Sequence, residues 1–227
     1  IRETYADLAA RAGSVEPDVI IWPETSVPAW IPSETPYVKW IQTLAMQTFT
    51  PHLFGSLSQL EGKEYNSAFL MDEDGRLEGV YNKQHLVPFG EYVPAGGFLK
   101  KLIPYLGQVG TFDAGKGPYV FDIDGILLSP NICYEAMFPA LVRRSVQKAD
   151  VIVNLTNDGW FLDSGAPHQH WVVNILRAVE NGRPVIRAAN SGISGFIDPY
   201  GRVRAKSPLM VADGYLDTIP VPPADFR

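Results

Sequence analysis

The sequence predicts one domain of the α/β class. Through the first half of the chain, short apolar runs with strand character alternate with segments of helical periodicity, and hairpin signals dominate the second half. No linker or low-complexity tract interrupts the 227 residues, a length that one hydrophobic core can serve. We therefore expect residues 1–227 to form a single domain.

Composition and charge narrow the class of protein. Hydrophobic residues make up 46% of the chain, and the formal charge of −6 comes from 25 acidic and 19 basic residues. No basic block is longer than the pair Lys100-Lys101, so nucleic acid is not an expected partner. No stretch approaches the ~18 apolar residues of a membrane span, and no signal peptide is recognisable. A single cysteine excludes an intramolecular disulfide.

The first elements alternate between helix and strand. The opening residues lie in a helical pattern that stops at Gly13, and residues 18–24 form an apolar strand with Glu24 at its tip. A second helix is predicted over 37–49 and another strand over 53–57. Because the chain begins inside a helical pattern, we expect it to be part of something larger.

A hairpin and a long connection follow. Strands over 67–71 and 76–82 flank the turn Asp72-Glu73-Asp74-Gly75, and the second arm leads directly into Lys83. Residues 86–117 then break the pattern, and a connection of this length inside a domain is usually functional, often a lid. Its apolar part, 98–106, suits either a lipid chain or membrane surface, or a small helix packed on the core.

The cysteine follows an apolar strand and precedes a helical pattern. Residues 126–129 indicate a buried strand, and 136–149 have helical spacing. Strand, tight turn, thiol and helix is the order that exposes a nucleophile at the edge of a sheet, and a helix N-terminus favours the thiolate. A lone cysteine is more commonly a small buried apolar residue, so the prediction of Cys133 as a nucleophile depends on its surroundings.

The last third of the chain contains a strand, a helix and hairpin strands. A buried strand is predicted over 150–154, and a helix runs from His168 to a C-cap at Gly182. Its inward residues are predicted to be Val172, Ile175, Leu176 and Val179. Further strands are predicted over 184–188, 194–198 and 214–219.

Neither a metal nor a cofactor is predicted. His168 and His170 are two residues apart on a helix and therefore do not face the same ligand. No glycine motif that cradles phosphates is present.

Glu24, Lys83 and Cys133 each follow an apolar run. If their strands are neighbours, the three side chains meet at one edge of the sheet, where open α/β sheets place their sites. A thiol needs a base to become a nucleophile, a task that suits Glu24. The oxyanion formed by acyl attack would be stabilised by the Lys83 ammonium and the backbone N–H of Tyr134. Taken singly, each of these charges is most commonly a solvated surface residue.

Four segments carry motifs in a fixed order: Trp22-Pro23-Glu24-Thr25, residues 81–91, Asn131-Ile132-Cys133-Tyr134-Glu135 and residues 154–161. They resemble the carbon-nitrogen hydrolase (nitrilase) superfamily and, within it, the apolipoprotein N-acyltransferase branch. The resemblance continues through residues 182–184 and 187–192 and covers nearly the whole chain. The assignment to the branch depends mainly on residues 88–94 and 156–161.

The resemblance implies a fold and a set of roles. The fold would be a four-layer αββα sandwich. Glu24 would be the general base, Lys83 the lysine that stabilises the oxyanion, and Cys133 the nucleophile that forms a thioester. Glu91 would support the lysine and cysteine. The remaining candidates, as required neighbours or as substrate-binding residues, are Tyr134, Glu135, Trp160 and Phe161.

The implied reaction is ping-pong acyl transfer. Cys133 would take an acyl chain from a phospholipid, and the α-amine of a lipid-modified apolipoprotein N-terminus would take it from the thioester. The membrane surface is an implied partner, because related proteins carry this domain on the periplasmic side of the bacterial inner membrane. Their transmembrane helices are absent here, as is the strand that precedes the opening helix, so the resemblance implies a truncated domain.

Three alternatives remain open. A soluble amidase of the same superfamily would use the same three residues with water as acceptor. A cysteine peptidase would pair Cys133 with His85 or His168, although no local peptidase signature is present. A lipid-binding or lipoprotein-binding module without catalysis is the third.

Overall fold

The structure, a computed structural model, describes residues 2–94, 111–162 and 164–221. Two β-sheets pack face to face, and helices cover the outer face of each sheet, so the layers follow the order αββα. This arrangement confirms the predicted α/β class and the four-layer sandwich.

The first sheet is built from the first part of the chain. Its strands are β1 (Ile20–Ile21), β2 (Trp30–Ile31), β3 (His52–Leu60), β4 (Lys63–Met71) and β5 (Leu77–Asn82). Strand β3 pairs in parallel with β1 and β2, and β3, β4 and β5 form an antiparallel meander. Helices α1 (Arg2–Gly13) and α2 (Thr35–Thr48) cover its outer face. The predicted turn at Asp72 joins β4 to β5, and the Asp72 side chain accepts a 2.6 Å hydrogen bond from the Arg76 amide.

The second sheet has the strand order β11-β10-β9-β8-β7-β6. Its strands are β6 (Phe121–Ile123), β7 (Ile126–Ile132), β8 (Val151–Asn157), β9 (Val185–Asn190), β10 (Gly195–Ile197) and β11 (Val203–Lys206). Helices α3 (Pro139–Ser145) and α4 (Ala166–Asn181) lie on its outer face. Because β7, β8 and β9 are parallel, their carboxyl ends share one edge, from which Cys133 and Asp158 emerge.

Strand alternation explains where the core lies. Leu53 and Leu70 of the first sheet pack against Leu128, Val153 and Leu155 of the second. The sequence neighbours of Leu53 and Leu70 point to the opposite face of the first sheet. On that face Phe54, Phe69 and Met71 pack under α1 and α2. Strands β3 and β4 therefore each contribute side chains both to the apolar layer between the sheets and to the apolar layer under the helices.

The predicted inward face of α4 is wrong. Val172, Leu176 and Val179 are about half exposed, and only Ile175 packs at the margin of the core. The buried face instead carries Pro167, His170, Trp171, Asn174, Arg177 and Ala178. The sheet beneath presents buried Asn154 and Arg187, whose polar groups require polar partners, so the helix turns part of its polar face inward. Its predicted C-cap is confirmed, since Gly182 has a φ of 58°.

Three other predicted elements differ. The helix predicted over 136–149 is divided into a 3₁₀ turn, Cys133–Met137, then α3, then a second 3₁₀ turn, Val146–Lys148. Pro139 cannot continue a preceding helix, and Phe138 before it is extended. The strand predicted over 18–24 is reduced to β1, and residues 214–219 form no strand. The apolar segment 98–106 lies outside the described residues.

Candidate active site

The predicted carboxylates and lysine do come together. Lys83 directly follows β5, and its Nζ donates to Glu91 Oε1 at 2.9 Å and to Glu24 Oε1 at 3.3 Å. Lys83 and Glu24 are both buried, so bulk water does not screen the attraction between their charges. Cys133 lies near the same cluster, since the charges of Glu24 and Lys83 both act on the pKa of its thiol. Four predicted residues therefore share one site.

Asn66, which the sequence did not indicate, links the two carboxylates. Its Nδ2 donates to Glu24 Oε1 at 2.7 Å and to Glu91 Oε1 at 2.8 Å. The outer carboxylate oxygens accept backbone N–H groups, Glu24 Oε2 from Asn157 at 2.8 Å and Glu91 Oε2 from Val87 at 2.8 Å. Both carboxylates are thus fixed in orientation around the lysine.

Cys133 has an unusual backbone for a residue with a side chain. Its φ is 52°, in the left-handed region, at the point where β7 ends and the 3₁₀ turn begins. Its carbonyl oxygen accepts Nδ2 of Asn154 at 3.3 Å and Nε2 of His170 at 3.1 Å. A sharp turn of this kind directs a side chain out of the edge of a sheet.

The thiol is protonated at rest. Burial and the negative charge of Glu24 raise the pKa of Cys133 to about 12, although Lys83 and a hydrogen bond with Thr156 act in the opposite direction. The prediction that a helix N-terminus favours the thiolate is therefore wrong, because only a short 3₁₀ turn follows and a carboxylate stands nearby. Burial lowers the pKa of Lys83, but Glu24 and the other anionic groups outweigh it and raise the pKa above its ordinary value. The resting site combines a neutral thiol with a cationic lysine.

Glu135 is fully buried and binds the protein, not solvent. Tyr81 donates to both of its oxygens, and the backbone N–H groups of Gln84, His85 and Ile132 donate to it at 2.6, 3.1 and 2.7 Å. Burial raises its pKa, while these backbone donors act in the opposite direction. Glu135 therefore connects the segment after Lys83 with the strand before Cys133.

The aromatic candidates lie at the surface. Tyr134 is 37% exposed and packs edge-on against Phe138 at 5.2 Å. Trp160 is 86% exposed and Phe161 41% exposed, on a 3₁₀ turn that follows β8. None of the three is held in the interior.

Asp158, His170 and Arg187 form a buried network that sequence reasoning missed. Arg187 Nη2 donates to Asp158 Oδ2 at 2.6 Å, and Asp158 Oδ1 lies 2.8 Å from Nδ1 of His170. Burial raises the pKa of Asp158, but its hydrogen bond with His170 and the charge of Arg187 outweigh this and hold it below its ordinary value. Asp158 directly follows an apolar strand, the same signal that identified Lys83.

The two histidines of α4 have different environments. His168 is exposed, whereas His170 is buried against Asp158 and the Cys133 carbonyl, so they do not share a ligand. Within residues 2–94, 111–162 and 164–221, no cluster of three acidic, cysteine or histidine side chains could hold a metal ion.

Comparison with known proteins identifies the family to which this fold and this site belong. A family model described as carbon-nitrogen hydrolase matches residues 2–212, so the chain belongs to the carbon-nitrogen hydrolase family.

Curated relatives of this chain carry a more specific name, apolipoprotein N-acyltransferase. The chain is 39% identical over 220 residues to that of Brucella melitensis, covering 92% of this chain and 41% of the relative. It is 40% identical over 207 residues to that of Agrobacterium fabrum (85% and 38%) and 39% identical over 220 residues to that of Geobacter metallireducens (90% and 40%). The chain spans about two fifths of the length of these relatives.

Solved structures share the fold at lower identity. An amidase from Nesterenkonia sp. superimposes with a TM-score of 0.69 at 20% identity, covering 92% of this chain and 80% of the amidase. The C. elegans NitFhit protein gives a TM-score of 0.71 at 20% identity, covering 91% and 54%. In the part of the chain that the structure describes, no helix is long and apolar enough to cross a membrane.

Proposed function

We propose that this chain is the catalytic domain of an apolipoprotein N-acyltransferase. The observation that carries the proposal is the cluster of Glu24, Lys83 and Cys133 in a chain about 40% identical to proteins of that name. The partners are a phospholipid as acyl donor and the N-terminus of a lipid-modified apolipoprotein as acceptor.

In the first half-reaction, the Cys133 sulfur attacks the ester carbonyl of the phospholipid. Its pKa of about 12 leaves the thiol protonated, so the attack needs a base, and Glu24 takes the proton as the S–C bond forms. The Lys83 ammonium and the Tyr134 backbone N–H stabilise the oxyanion. When the ester C–O bond breaks, Glu24 returns the proton to the departing lysophospholipid alcohol, and a thioester remains.

In the second half-reaction, the α-amine of the acceptor attacks the thioester. Glu24 accepts a proton from the amine, and the C–S bond breaks to release an amide. The proton then returns to the Cys133 sulfur. Glu91 keeps Lys83 in place through both steps by accepting a hydrogen bond from its ammonium. Asn66 keeps Glu24 in place by donating to Glu24 as well as to Glu91.

Exposed apolar side chains near the site suit a lipid substrate. Trp160 and Phe161 stand on the turn after Asn157, whose amide binds Glu24, and Leu162 beside them is 69% exposed. Tyr134 stands next to the nucleophile and is also exposed. We assign these four side chains to contact with the acyl chain or the membrane surface. The domain then works at the periplasmic face of the bacterial inner membrane.

Hydrolysis of a small amide is the less supported activity. The amidase of Nesterenkonia is 20% identical to this chain, a likeness that shows the fold alone, whereas the named acyltransferases reach 40%. The two activities differ in the acceptor, water or an amine.

The test is capture of the thioester. The chain is incubated with a phospholipid carrying an isotope-labelled acyl chain in detergent micelles, and its intact mass is measured. We expect one added acyl group that neutral hydroxylamine removes and that Cys133→Ala, which has no cysteine, does not acquire. A diacylglyceryl-cysteinyl peptide should then discharge the adduct as an amide. A folded protein that forms no adduct, or that hydrolyses small amides instead, would overturn the proposal.

The role of Glu24 has a test of its own. Because the Glu24 charge raises the pKa of Cys133, Glu24→Gln should make alkylation of the thiol by iodoacetamide at pH 9 several-fold faster. Thioester formation should fall by about 10²-fold or more, because the base is lost. If alkylation and acyl transfer fell together, Glu24 would be assisting the thiol in some other way.

A further inference from the structure

We propose that Arg187 is a positioning residue that holds the nucleophile through the backbone carbonyl of Cys133. Two hydrogen-bonded arms lead from its guanidinium to that oxygen, and we call the whole arrangement the carbonyl clamp. Its members are Asn154, Asp158, His170 and Arg187. The inference deepens the proposed function and rests on it, since the clamp orients the thiol that would carry the acyl group.

The clamp begins in the register of the second sheet. Asn131 of β7 is paired with Asn154 of β8, and Asn154 is paired with Arg187 of β9. Side chains in register on neighbouring strands point to the same face, so three polar side chains form a row across the sheet. The row lies on the face that α4 covers, and its member on β7, Asn131, is two residues before Cys133.

The first arm runs along this row. Arg187 Nη1 donates to Asn154 Oδ1 at 2.7 Å, and Asn154 Nδ2 donates to the Cys133 carbonyl oxygen at 3.3 Å. The bond from Arg187 fixes which end of the Asn154 amide is the oxygen, and so turns the NH₂ group toward Cys133.

The second arm runs through the helix. Arg187 Nη2 donates to Asp158 Oδ2 at 2.6 Å, and Asp158 Oδ1 lies 2.8 Å from Nδ1 of His170. Nε2 of His170 lies 3.1 Å from the Cys133 carbonyl, which can only accept, so this nitrogen carries a proton. The low pKa of Asp158 keeps its carboxylate ionised between the two.

The guanidinium itself is fixed. Its Nε donates to the Ile193 carbonyl at 3.0 Å, and the side chain is completely buried. All three nitrogens of the fork are therefore used, each toward a different acceptor. A lysine in this place offers a single ammonium and cannot reach the three acceptors in the same plane.

The clamp acts on a residue whose backbone conformation is strained. Cys133 has a φ of 52°, a left-handed conformation that a side-chain-bearing residue leaves readily unless its neighbours hold it. Two donors on its carbonyl oxygen keep the peptide plane fixed, and with it both the thiol direction and the following Tyr134 N–H. The contacts of Asn154 and His170 with Cys133 are to its carbonyl oxygen, so we infer that the clamp acts on the position of the nucleophile.

The experiment compares two buried arginines of the same region. Arg187→Lys breaks both arms, whereas Arg183→Lys alters a buried arginine that binds the carbonyls of Ala149 and Gly182. These carbonyls lie at the amino ends of β8 and β9, opposite the edge from which Cys133 emerges. Thioester formation from labelled phospholipid is measured for each, together with alkylation by iodoacetamide, which reports on Cys133 alone because it is the only cysteine. We expect Arg187→Lys to lower the maximal acylation rate by about 10²-fold with an unchanged KM for phospholipid. Alkylation should be about ten-fold slower, and Arg183→Lys should leave both rates within about two-fold of the parent.

A purely structural role would give a different pattern. Loosening of the fold would expose the thiol and make alkylation faster, and the two arginine variants would then behave alike. Either result would overturn the proposal that the clamp positions Cys133.

His170→Phe breaks one arm and leaves Asn154 in place, so it remains useful if Arg187→Lys fails to fold. We expect an acylation rate between those of the parent and of Arg187→Lys, with slower alkylation. A folded His170→Phe that is alkylated at the parent rate would also overturn the proposal.

Failure of the clamp and failure of the acyltransferase proposal are distinguishable. Alkylation needs no acyl donor, so it reports on the clamp even if the parent protein forms no thioester. A parent that is acylated normally, with clamp variants that react at the parent rate in both assays, leaves the proposed function intact and removes the clamp alone.

Discussion

Helices cover both outer faces of the sandwich, but the two interfaces are built from different side chains. Beneath α1 and α2, the first sheet presents Phe54, Phe69 and Met71, which pack against Ile41 and other apolar residues. Beneath α4, the second sheet presents Asn154 and Arg187 to the polar face of the helix. The same architecture therefore uses one interface mainly for hydrophobic stabilisation and gives part of the other to a polar network next to the nucleophile.

Among the described residues, the polar interface also has more buried polar atoms without a protein partner than the first interface has. Ser129, Asn131, Asn174 and Arg177 each have buried polar atoms for which no protein partner exists in the described part of the chain. The first interface has only Trp22 Nε1 and His52 Nδ1 in that condition among the same residues. The difference indicates that the second interface combines an apolar cluster, which includes Ile152 and Trp171, with a polar network centred on Arg187. Four substitutions test this comparison.

Removal of Arg187 should have the largest effect on stability. In Arg187→Met the carboxylate of Asp158 is left buried without its cationic partner, so the free energy of unfolding should fall by about 3–5 kcal/mol. Urea unfolding followed by circular dichroism measures it. A fall of less than about 1 kcal/mol would mean that the network contributes little, and that the two interfaces do not differ in the way described.

Truncation in the apolar interface should destabilise the protein slightly less and leave the chemistry unchanged. Ile41→Ala deletes buried methyl groups under the first sheet and should lower the free energy of unfolding by about 3 kcal/mol. Ile41→Val, the matched control, should lower it by about 1 kcal/mol. Alkylation of Cys133 should proceed at the parent rate in both, and a slower rate would show that the site depends on this interface as well.

The buried histidine of the apolar interface makes stability depend on pH. Burial lowers the pKa of His52 to about 4, so between pH 6.5 and 4 the unfolded chain binds a proton that the folded protein does not. Stability contributed by neutral His52 is therefore complete above pH 6.5 and decreases as the pH falls toward 4.

His52→Gln keeps a polar side chain beside Thr48 but has no such proton to bind. The loss of unfolding free energy between pH 7 and 4.5 should therefore be smaller in His52→Gln than in the parent by about 2.5 kcal/mol. Urea titrations at the two pH values give this difference. Equal losses in the two proteins would mean that another group governs the acid limb.

The smallest effect is expected at Ser129, in the polar interface. Its buried hydroxyl has no protein partner among the described residues, so Ser129→Ala should change the free energy of unfolding by less than about 0.5 kcal/mol. Ser56→Ala is the control, because Ser56 donates to the carbonyl of Val27 at 2.7 Å, and it should lower stability by about 1 kcal/mol. Similar losses in the two would show that Ser129 is bound after all.

Part of the site could be predicted because its residues lie at strand ends, and the resemblance to a known family selected them, together with Glu91, among the other charged residues. Lys83 and Cys133 follow β5 and β7 directly, and the ends of apolar runs are visible in the sequence. Glu24 was also predicted, although its strand is only two residues long, because Pro23 marks the end of the run. The roles of Glu24, Lys83, Cys133 and Glu91 remain predictions until the acyl adduct is sought.

Other features had no local signal. Asn66 lies in the middle of β4, and nothing near it in sequence reveals that two carboxylates from distant segments converge on its amide. The orientation of α4 was mispredicted because helical periodicity assigns apolar residues to the inside. That rule fails where the sheet beneath carries a buried arginine, a fact that depends on the register of three strands.

Glu135 joins the two sheets where they meet the site. On the side of the first sheet, its carboxylate accepts hydrogen bonds from the Tyr81 hydroxyl and from the backbone N–H groups of Gln84 and His85. On the side of the second sheet it accepts one from the backbone N–H of Ile132. A carboxylate thus ties the end of β5, beside Lys83, to the end of β7, beside Cys133. Sliding of one sheet over the other would have to break these buried hydrogen bonds first, so they resist any change in the spacing of the two reacting groups.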